Sequence, residues 1–459
     1  MRRHSTIDLL RTYESRNVTF IERDGSWPIV WDRAKGVHVW DERGKRYLDL
    51  TAAFGVAAAG HANPRVVAAG REQMGCLLHA MGDVHPHRLK AELARELSRI
   101  TFERWTRAAN DASASLSTAK TIFCSSGFEA VEVALKTSLL ATGKPGVIVF
   151  EKAYHGLGYG ALNATHRTHF RSPFLSQLKE FGAFFSFPSG STQTDFDSVR
   201  TRRGRTSARQ PLLDALESEI RRHLRRQAVG AILVEPIQVR GGINIPPPGF
   251  LPLLRRLCNE HGALLILDEI YTGFGRTGKW FACEHWDVVP DLVCLGKALT
   301  GGFPLSACVG RSQVMDAAWP PSNGEAIHTS TFLGHPVGCA MALANIKEIH
   351  GRRLVACSAE LGTFLLTSLS KLADAHPRNR FIPRGLGLLA GLELLRPDGS
   401  PATKLALRAI KSLLHQGFIF LPEGDQANVI SFTPPLIISK SQLQSALVAL
   451  EEALSSTGR

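Results

Sequence analysis

Long apolar runs are missing from this chain of 459 residues: no uninterrupted stretch approaches the ~20 residues that a helix needs to cross a bilayer. No membrane partner is therefore expected. Cysteine is sparse, and its eight copies (Cys76, Cys124, Cys258, Cys283, Cys294, Cys308, Cys339, Cys357) are scattered without a CxxC pair. That excludes a thiolate metal framework, fits buried free thiols in a reducing cytoplasm, and leaves no metal site to expect. The first residues contain Arg2, Arg3, Arg11 and Arg16 but neither an apolar core nor a small-residue cleavage site, so a secretory signal is not expected. Asp8 and Glu14 argue against an organelle-targeting segment, and a cytoplasmic location is the expectation. Acidic residues are also short, 41 against 54 Lys and Arg, which leaves a net charge of +13. Such a balance invites a nucleic-acid reading. The excess is local, in Arg200, Arg202, Arg203, Arg205 and Arg209 of a Ser/Thr-rich stretch and in Arg221, Arg222, Arg225 and Arg226 on a helical pattern. No nucleic-acid-binding motif accompanies these clusters, so they read as solvated surface and no nucleic-acid partner is expected. Internal repeats and low-complexity tails are absent as well.

What is present is the composition of a globular protein, 44% hydrophobic and 21% charged, at a length that calls for more than one domain. Short apolar runs recur through the middle of the chain: TIFCS (121–125), VIVF (147–150), AILVE (231–235), LLILDE (264–269) and LVCLG (292–296). Each is continuous rather than alternating, as in parallel strands covered on both faces. Helical patterns separate them, at 128–140, 213–226 and 250–262. This alternation predicts an α/β domain with a mostly parallel central sheet. The stretch 160–212 reads as an irregular excursion at its edge. From about 337 a long helical pattern leads into shorter helices and strands at 388–394 and 428–432, the mark of a smaller α+β domain. The hairpin-like VHVWDERGKRYLDL is placed to pair with it. The expected division is 1–65 (N-terminal segment packing with the small domain), 66–336 (large domain) and 337–459 (small domain).

Ligands of open parallel sheets bind beyond the carboxyl ends of the strands, and three such ends are unusual here. Ser125-Ser126-Gly127 opens directly into a helix, where small residues and free N–H groups suit a phosphate, although such a sequence also makes an ordinary cap. Asp268-Glu269 closes LLIL, where buried acids require partners; a helix cap or a salt bridge would satisfy them equally. Lys297 follows LVCLG among Gly296, Gly301 and Gly302, where burial lowers an amine's pKa and makes it nucleophilic. Together they supply a phosphate seat, an anion and an amine, which is what pyridoxal phosphate requires.

The segment LLILDEIYTGFGRTGKWFACEHWDVVPDLVCLGKALTGGFPLSA, with SSGFEAVEVALK, YHG, EPIQ, HTSTF and PPL in the same order, resembles the class III pyridoxal-phosphate-dependent aminotransferases. The resemblance runs from about residue 27 nearly to the C-terminus. It implies a fold-type I architecture, pyridoxal 5'-phosphate as cofactor, and a homodimer with shared active sites. It also implies a ping-pong exchange between a small-molecule amino donor and a keto-acid acceptor. By position, Lys297 would hold the cofactor covalently and move the substrate's Cα proton, and Asp268 would keep the ring nitrogen protonated. Ser126, Gly127 and Phe128 would hold the phosphate, Tyr154 and Ile270 would cover the two ring faces, and Thr331 would reach the phosphate of the neighbouring subunit. Tyr271 would contact the cofactor or narrow the pocket. Phe54, Glu235 and Arg240 are the candidate substrate contacts.

The departures from the family pattern all concern substrate. Leu157 stands where an arginine often follows YHG, and Ser431 stands where another precedes the aromatic residue leading to PPL. Glu235 would then lack the arginine that it gates with in some relatives. Val239-Arg240 replaces the usual Gly-Glu after EPIQ. A donor recognised without the double arginine clamp is expected, an amine or ω-amino compound among the candidates, with Arg240 placed to meet an acidic group. An aminomutase, a racemase or a decarboxylase would use the same Lys297 and Asp268, and a catalytically inert basic binding protein would retain the scaffold alone.

Overall fold

The computed structural model describes residues 5–108, 118–190, 210–377 and 380–456. The arginine cluster at 200–209 lies outside the described residues. Among the described residues, fifteen strands form three sheets. The N-terminal strands are β1 (Trp31–Lys35), β2 (His38–Asp41) and β3 (Arg46–Asp49). The large sheet takes β4 (Ala119–Cys124), β5 (Gly146–Phe150), β6 (Gly182–Phe185), β7 (Val229–Val234), β8 (Leu264–Asp268), β9 (Leu292–Leu295) and β10 (Ser306–Arg311). The C-terminal strands are β11 (Arg380–Leu386), β12 (Leu389–Leu395), β13 (Phe418–Ile419), β14 (Leu421–Glu423) and β15 (Val429–Phe432).

The large sheet has the order β4-β10-β9-β8-β7-β5-β6. β6, β5, β7, β8 and β9 run parallel, and β10 lies antiparallel between β9 and β4. Both faces are buried, and strand alternation divides the side chains between them. Val147, Val149, Leu233, Ile266 and Cys294 pack with the helix Gly127–Thr142 on one face. Ile148, Phe150, Ile232, Leu265, Leu267 and Val293 pack with Leu254 and Leu257 of the helix Phe250–His261 on the other. That two-sided burial is why these strands read as continuous apolar runs. β6 and β10 were not among the strands expected. Within 160–212, Gly182–Phe185 forms the parallel edge strand instead of part of an irregular excursion. β10, with the sequence SACVGR, is too mixed in polarity to stand out, yet it is buried between two neighbours.

The hairpin β2–β3 does reach the C-terminal part of the chain, because β3 pairs in parallel with β13. The remaining sheet, β11-β12-β15-β14, is antiparallel throughout. Two long helices, Pro336–Gly351 and Leu354–Ala375, connect the large sheet to it. No described helix is long and apolar enough to cross a membrane.

Candidate active site

The carboxyl ends of β4, β5, β7, β8 and β9 open on one cleft of about 430 Å³. Its lining includes Gly127, Phe128, Tyr154, Glu235, Arg240, Asp268, Ile270, Tyr271 and Lys297 from the expected set, together with His155, Gly156, Leu157 and Thr272. Three expected residues stand apart from that lining: Ser126, immediately before Gly127, Phe54 and Thr331. Phe54 lies half-exposed with its ring 5.7 Å from the Arg240 guanidinium. Thr331 is exposed on a separate loop.

Lys297 follows β9 by two residues, in the left-handed region at φ 42° after an extended Gly296. Its amine lies 4.6 Å from the centre of the Tyr271 ring. Burial pushes its pKa down; Asp268 and Glu235 act in the opposite direction, and Arg240 reinforces the lowering. A buried amine of this kind spends more time as the neutral nucleophile than a surface lysine does. Asp268 ends β8, where alternation sends it to the same side as Ile266, and its Oδ1 accepts the Ile270 N–H at 3.1 Å.

The partner that a buried Asp268 requires is His155. Its Nδ1 lies 2.8 Å from Asp268 Oδ2, and both residues are buried. Because a carboxylate only accepts, Nδ1 donates. The other ring nitrogen, Nε2, is buried without a hydrogen-bond partner among the described residues. Sequence reasoning passed over His155, although it stands beside Tyr154 in YHG. Glu269, the other acid of the pair, turns away from the cleft. It accepts the N–H groups of Ala282 at 3.0 Å and Cys283 at 2.8 Å and the hydroxyl of Thr272. It caps the short helix Ala282–His285, the structural reading held open for the pair.

The phosphate seat is built by local sequence. Glu129 reaches back to accept the N–H groups of Ser125 and Ser126, each at 2.8 Å, which fixes the turn into the helix Gly127–Thr142. Gly127 and Phe128 then open the helix, where main-chain N–H groups lack intrahelical partners. Ser126 Oγ is buried and has no hydrogen-bond partner among the described residues. A Cβ on Gly127 would meet Ile270 at 3.1 Å, and one on Gly156 would meet the Phe128 Cβ at 2.3 Å. Backbone therefore comes closer to these neighbours than any side chain would permit. Tyr271 packs its ring against Gly55, and its hydroxyl lies 3.4 Å from Thr433 Oγ1.

At the substrate side, Glu235 accepts the Tyr154 N–H at 2.9 Å and the Val239 N–H at 3.3 Å. Burial pushes its carboxyl up to about 7. Leu157 is apolar and half-exposed, and Ser431 Oγ is turned away to donate to the Leu421 carbonyl at 3.0 Å. Phe54 sits in a hook, Thr51–Gly55, that Asp49 ties down by accepting the N–H and hydroxyl of Thr51 at 2.8 and 2.6 Å and the Ala53 N–H at 3.2 Å. His61 Nε2 completes that buried cluster at 2.7 Å from Asp49.

These groups fit pyridoxal phosphate. An unpartnered hydroxyl beside free helix N–H groups suits a phosphate, a histidine-braced carboxylate suits a protonated ring nitrogen, and a buried amine suits an aldehyde. Known proteins agree with that chemistry. The family model for class III aminotransferases matches residues 20–454. The chain is similar to the acetylornithine aminotransferase of Methanosarcina mazei, 34% identical across 94% of this chain and 92% of that one. It is likewise similar to the 5-aminovalerate aminotransferase of Pseudomonas aeruginosa, 33% identical across 93% of both chains. Among solved structures, the omega transaminase of Pseudomonas jessenii in complex with PMP superposes with a TM-score of 0.85 at 25% identity, covering 99% of this chain and 98% of that one.

Proposed function

This chain belongs to the class III aminotransferases, an enzyme family that transfers amino groups by pyridoxal-phosphate-dependent transamination, and from that membership we propose how its cleft works and what it holds. The cofactor is pyridoxal 5'-phosphate, held covalently through Lys297. Ser126, Gly127 and Phe128 would hold its phosphate, Asp268 would serve its ring nitrogen, and Tyr154 and Ile270 would cover its ring. Tyr271 backs the amine of Lys297, and Thr331 serves the site of a partner subunit in a homodimer. The observation that carries this reading is the convergence of Asp268, His155, Lys297 and a helix N-terminus on one cleft from separate strand ends.

Bound there, the cofactor supplies an aldehyde to receive the amino group and a conjugated ring to take up negative charge from the substrate's Cα. The protein's own part is proton handling and orientation. Lys297 Nζ, whose pKa burial lowers, takes the Cα proton and redelivers it, a contribution of about 10²–10⁴-fold in rate. His155 donates to Asp268, which holds that carboxylate in its orientation toward the cleft. Tyr154, Leu157 and Phe54 restrict water at the mouth. An amino donor and a keto acid use the same cleft in turn, in a ping-pong order, and the absence of arginine at Leu157 and Ser431 favours donors with at most one carboxylate to recognise. The working division of the chain remains 1–65, 66–336 and 337–459, and the cytoplasm its working location.

The test is direct. The purified protein should be yellow, and borohydride should bleach it and fix a cofactor-sized mass on the peptide containing Lys297. An amino donor alone should shift the absorbance, and a keto acid should restore it. Lys297→Ala should lose turnover by at least about 10³-fold. A colourless protein after supply of the cofactor, or labelling at another lysine, overturns the proposal.

A further inference from the structure

Arg240 is placed unlike any other cation of the cleft. Its Nε lies 3.6 Å from Glu423 Oε2, and its guanidinium carbon lies 5.7 Å from the ring centres of both Phe54 and Tyr154. The two terminal nitrogens have no hydrogen-bond partner among the described residues. Its place in the main chain is set by the Gly424 N–H, which donates to the Arg240 carbonyl at 3.2 Å. One residue before Gly424 stands Glu423, 3% exposed, whose only ion-pair partner among the described residues is Arg240. Tyr154 is steadied from behind by Phe170, at 5.5 Å between ring centres, and Arg167 spans from Phe170 to Asp425 at 2.9 Å. Two ion pairs thus join the turn after β14 to the mouth of the cleft.

A guanidinium ion-paired on its Nε side with one carboxylate leaves its other edge as a fork of two N–H donors, the geometry that reads a carboxylate bidentately. The rings on either side limit its rotation and hold it by cation–π contact. We infer that Arg240 is the specificity-determining residue that reads the substrate's carboxylate in this chain, and that Glu423 is a positioning residue that orients the arginine's fork toward the cleft. The inference deepens the aminotransferase reading and rests on it: the recognised class is keto acids, and amino donors, whose carboxylate reaches the mouth. Burial pushes the Glu423 carboxyl up to about 7, and Arg240 draws it down more than the more distant charges of Arg167 and Lys297 do. An isolated acid in that place would cost stability without the arginine.

The experiment titrates the cofactor-loaded protein calorimetrically with an inert pair, butyrate and butyramide, and measures turnover of a keto acid in the same variants. Wild type should bind butyrate at least about tenfold more tightly than butyramide, the worth of a charge-assisted hydrogen bond. Arg240→Gln should erase that difference, and Arg240→Lys should keep part of it. Glu423→Gln should weaken butyrate by about three- to tenfold and raise KM for the keto acid, with kcat and butyramide affinity little changed. A preference for butyrate that survives Arg240→Gln, or an equal loss of both ligands in Glu423→Gln, overturns the inference. Failure of the donor-driven absorbance change in the wild type would instead overturn the aminotransferase reading, since the calorimetric contrast needs no turnover.

Discussion

Asp268 and Glu269 are neighbours with opposite employments, and the difference is one of direction alone. Strand alternation turns the first toward the cleft and the second into the cap of Ala282–His285. Their energetics diverge accordingly. An ordinary glutamate ionises near 4.5, whereas burial pushes Glu269 up to about 7. Between those values the folded chain holds a proton that the unfolded chain has released, so stability falls as pH rises through that window. Glu269→Gln should remove this slope: measured by thermal unfolding of the cofactor-free protein, it should gain on wild type from pH 4.5 to 7 by an amount on the order of 3 kcal/mol. A parallel pH dependence of the two proteins would refute the assignment. Sequence alone displayed the acid pair and Lys297, because a charge closing an apolar run is visible in one dimension. It did not display His155 or Glu423. Both contact residues far along the chain, Asp268 and Arg240, and a partner across such a separation leaves no local pattern.

At the level of elements, the site is a set of turns following buried strands, and glycine decides how closely those turns approach one another. Gly156 has φ 109°, and any Cβ there would lie 2.3 Å from that of Phe128. Gly156→Ala should therefore push the YHG turn away from the helix Gly127–Thr142. The expected loss is about 2 kcal/mol of stability, made of a left-handed backbone penalty plus displacement of Phe128. Cofactor retention should weaken with it, read as faster loss of absorbance on dialysis. Unchanged retention would count against a phosphate seat at Phe128. Of the five strands legible in the sequence, β5, β7, β8 and β9 are buried along nearly their whole length, while the edge strand β4 is buried only at Phe123 and Cys124, where its apolar run lies. β6 is a four-residue edge strand with a glycine at its start, and β10 includes serine, glycine and arginine, so neither offers the continuous run that marked the others. Their places follow from neighbours in the sheet, not from their own composition.

For the molecule as a whole, a single chain leaves Leu77, Leu78, Met81, Val84 and Phe332 exposed, an apolar surface of the kind that partner subunits cover. Thr331, next to Phe332, is exposed and away from the cleft lining of its own chain, as a residue serving a neighbour would be. The proposal of shared sites has a specific signature. Chains bearing Lys297→Ala, co-expressed with chains bearing a disabling Thr331→Asp, should form hybrids in which one site has both lesions and the other has none. Random pairing then returns about a quarter of wild-type activity from two inactive parents. Recovery of none would mean that Thr331 acts within its own chain or not at all.

Ala52, Ala53 and Phe54 wind left-handed in succession, at φ 47°, 50° and 60°. Each such residue costs about 1–2 kcal/mol relative to glycine's freedom there. Breeding this protein for heat resistance should therefore favour glycine at 52 or 53. Breeding it for turnover should retain the alanines, because slack in that hook would let Phe54 swing away from Arg240. The two regimes would part company at the same two codons.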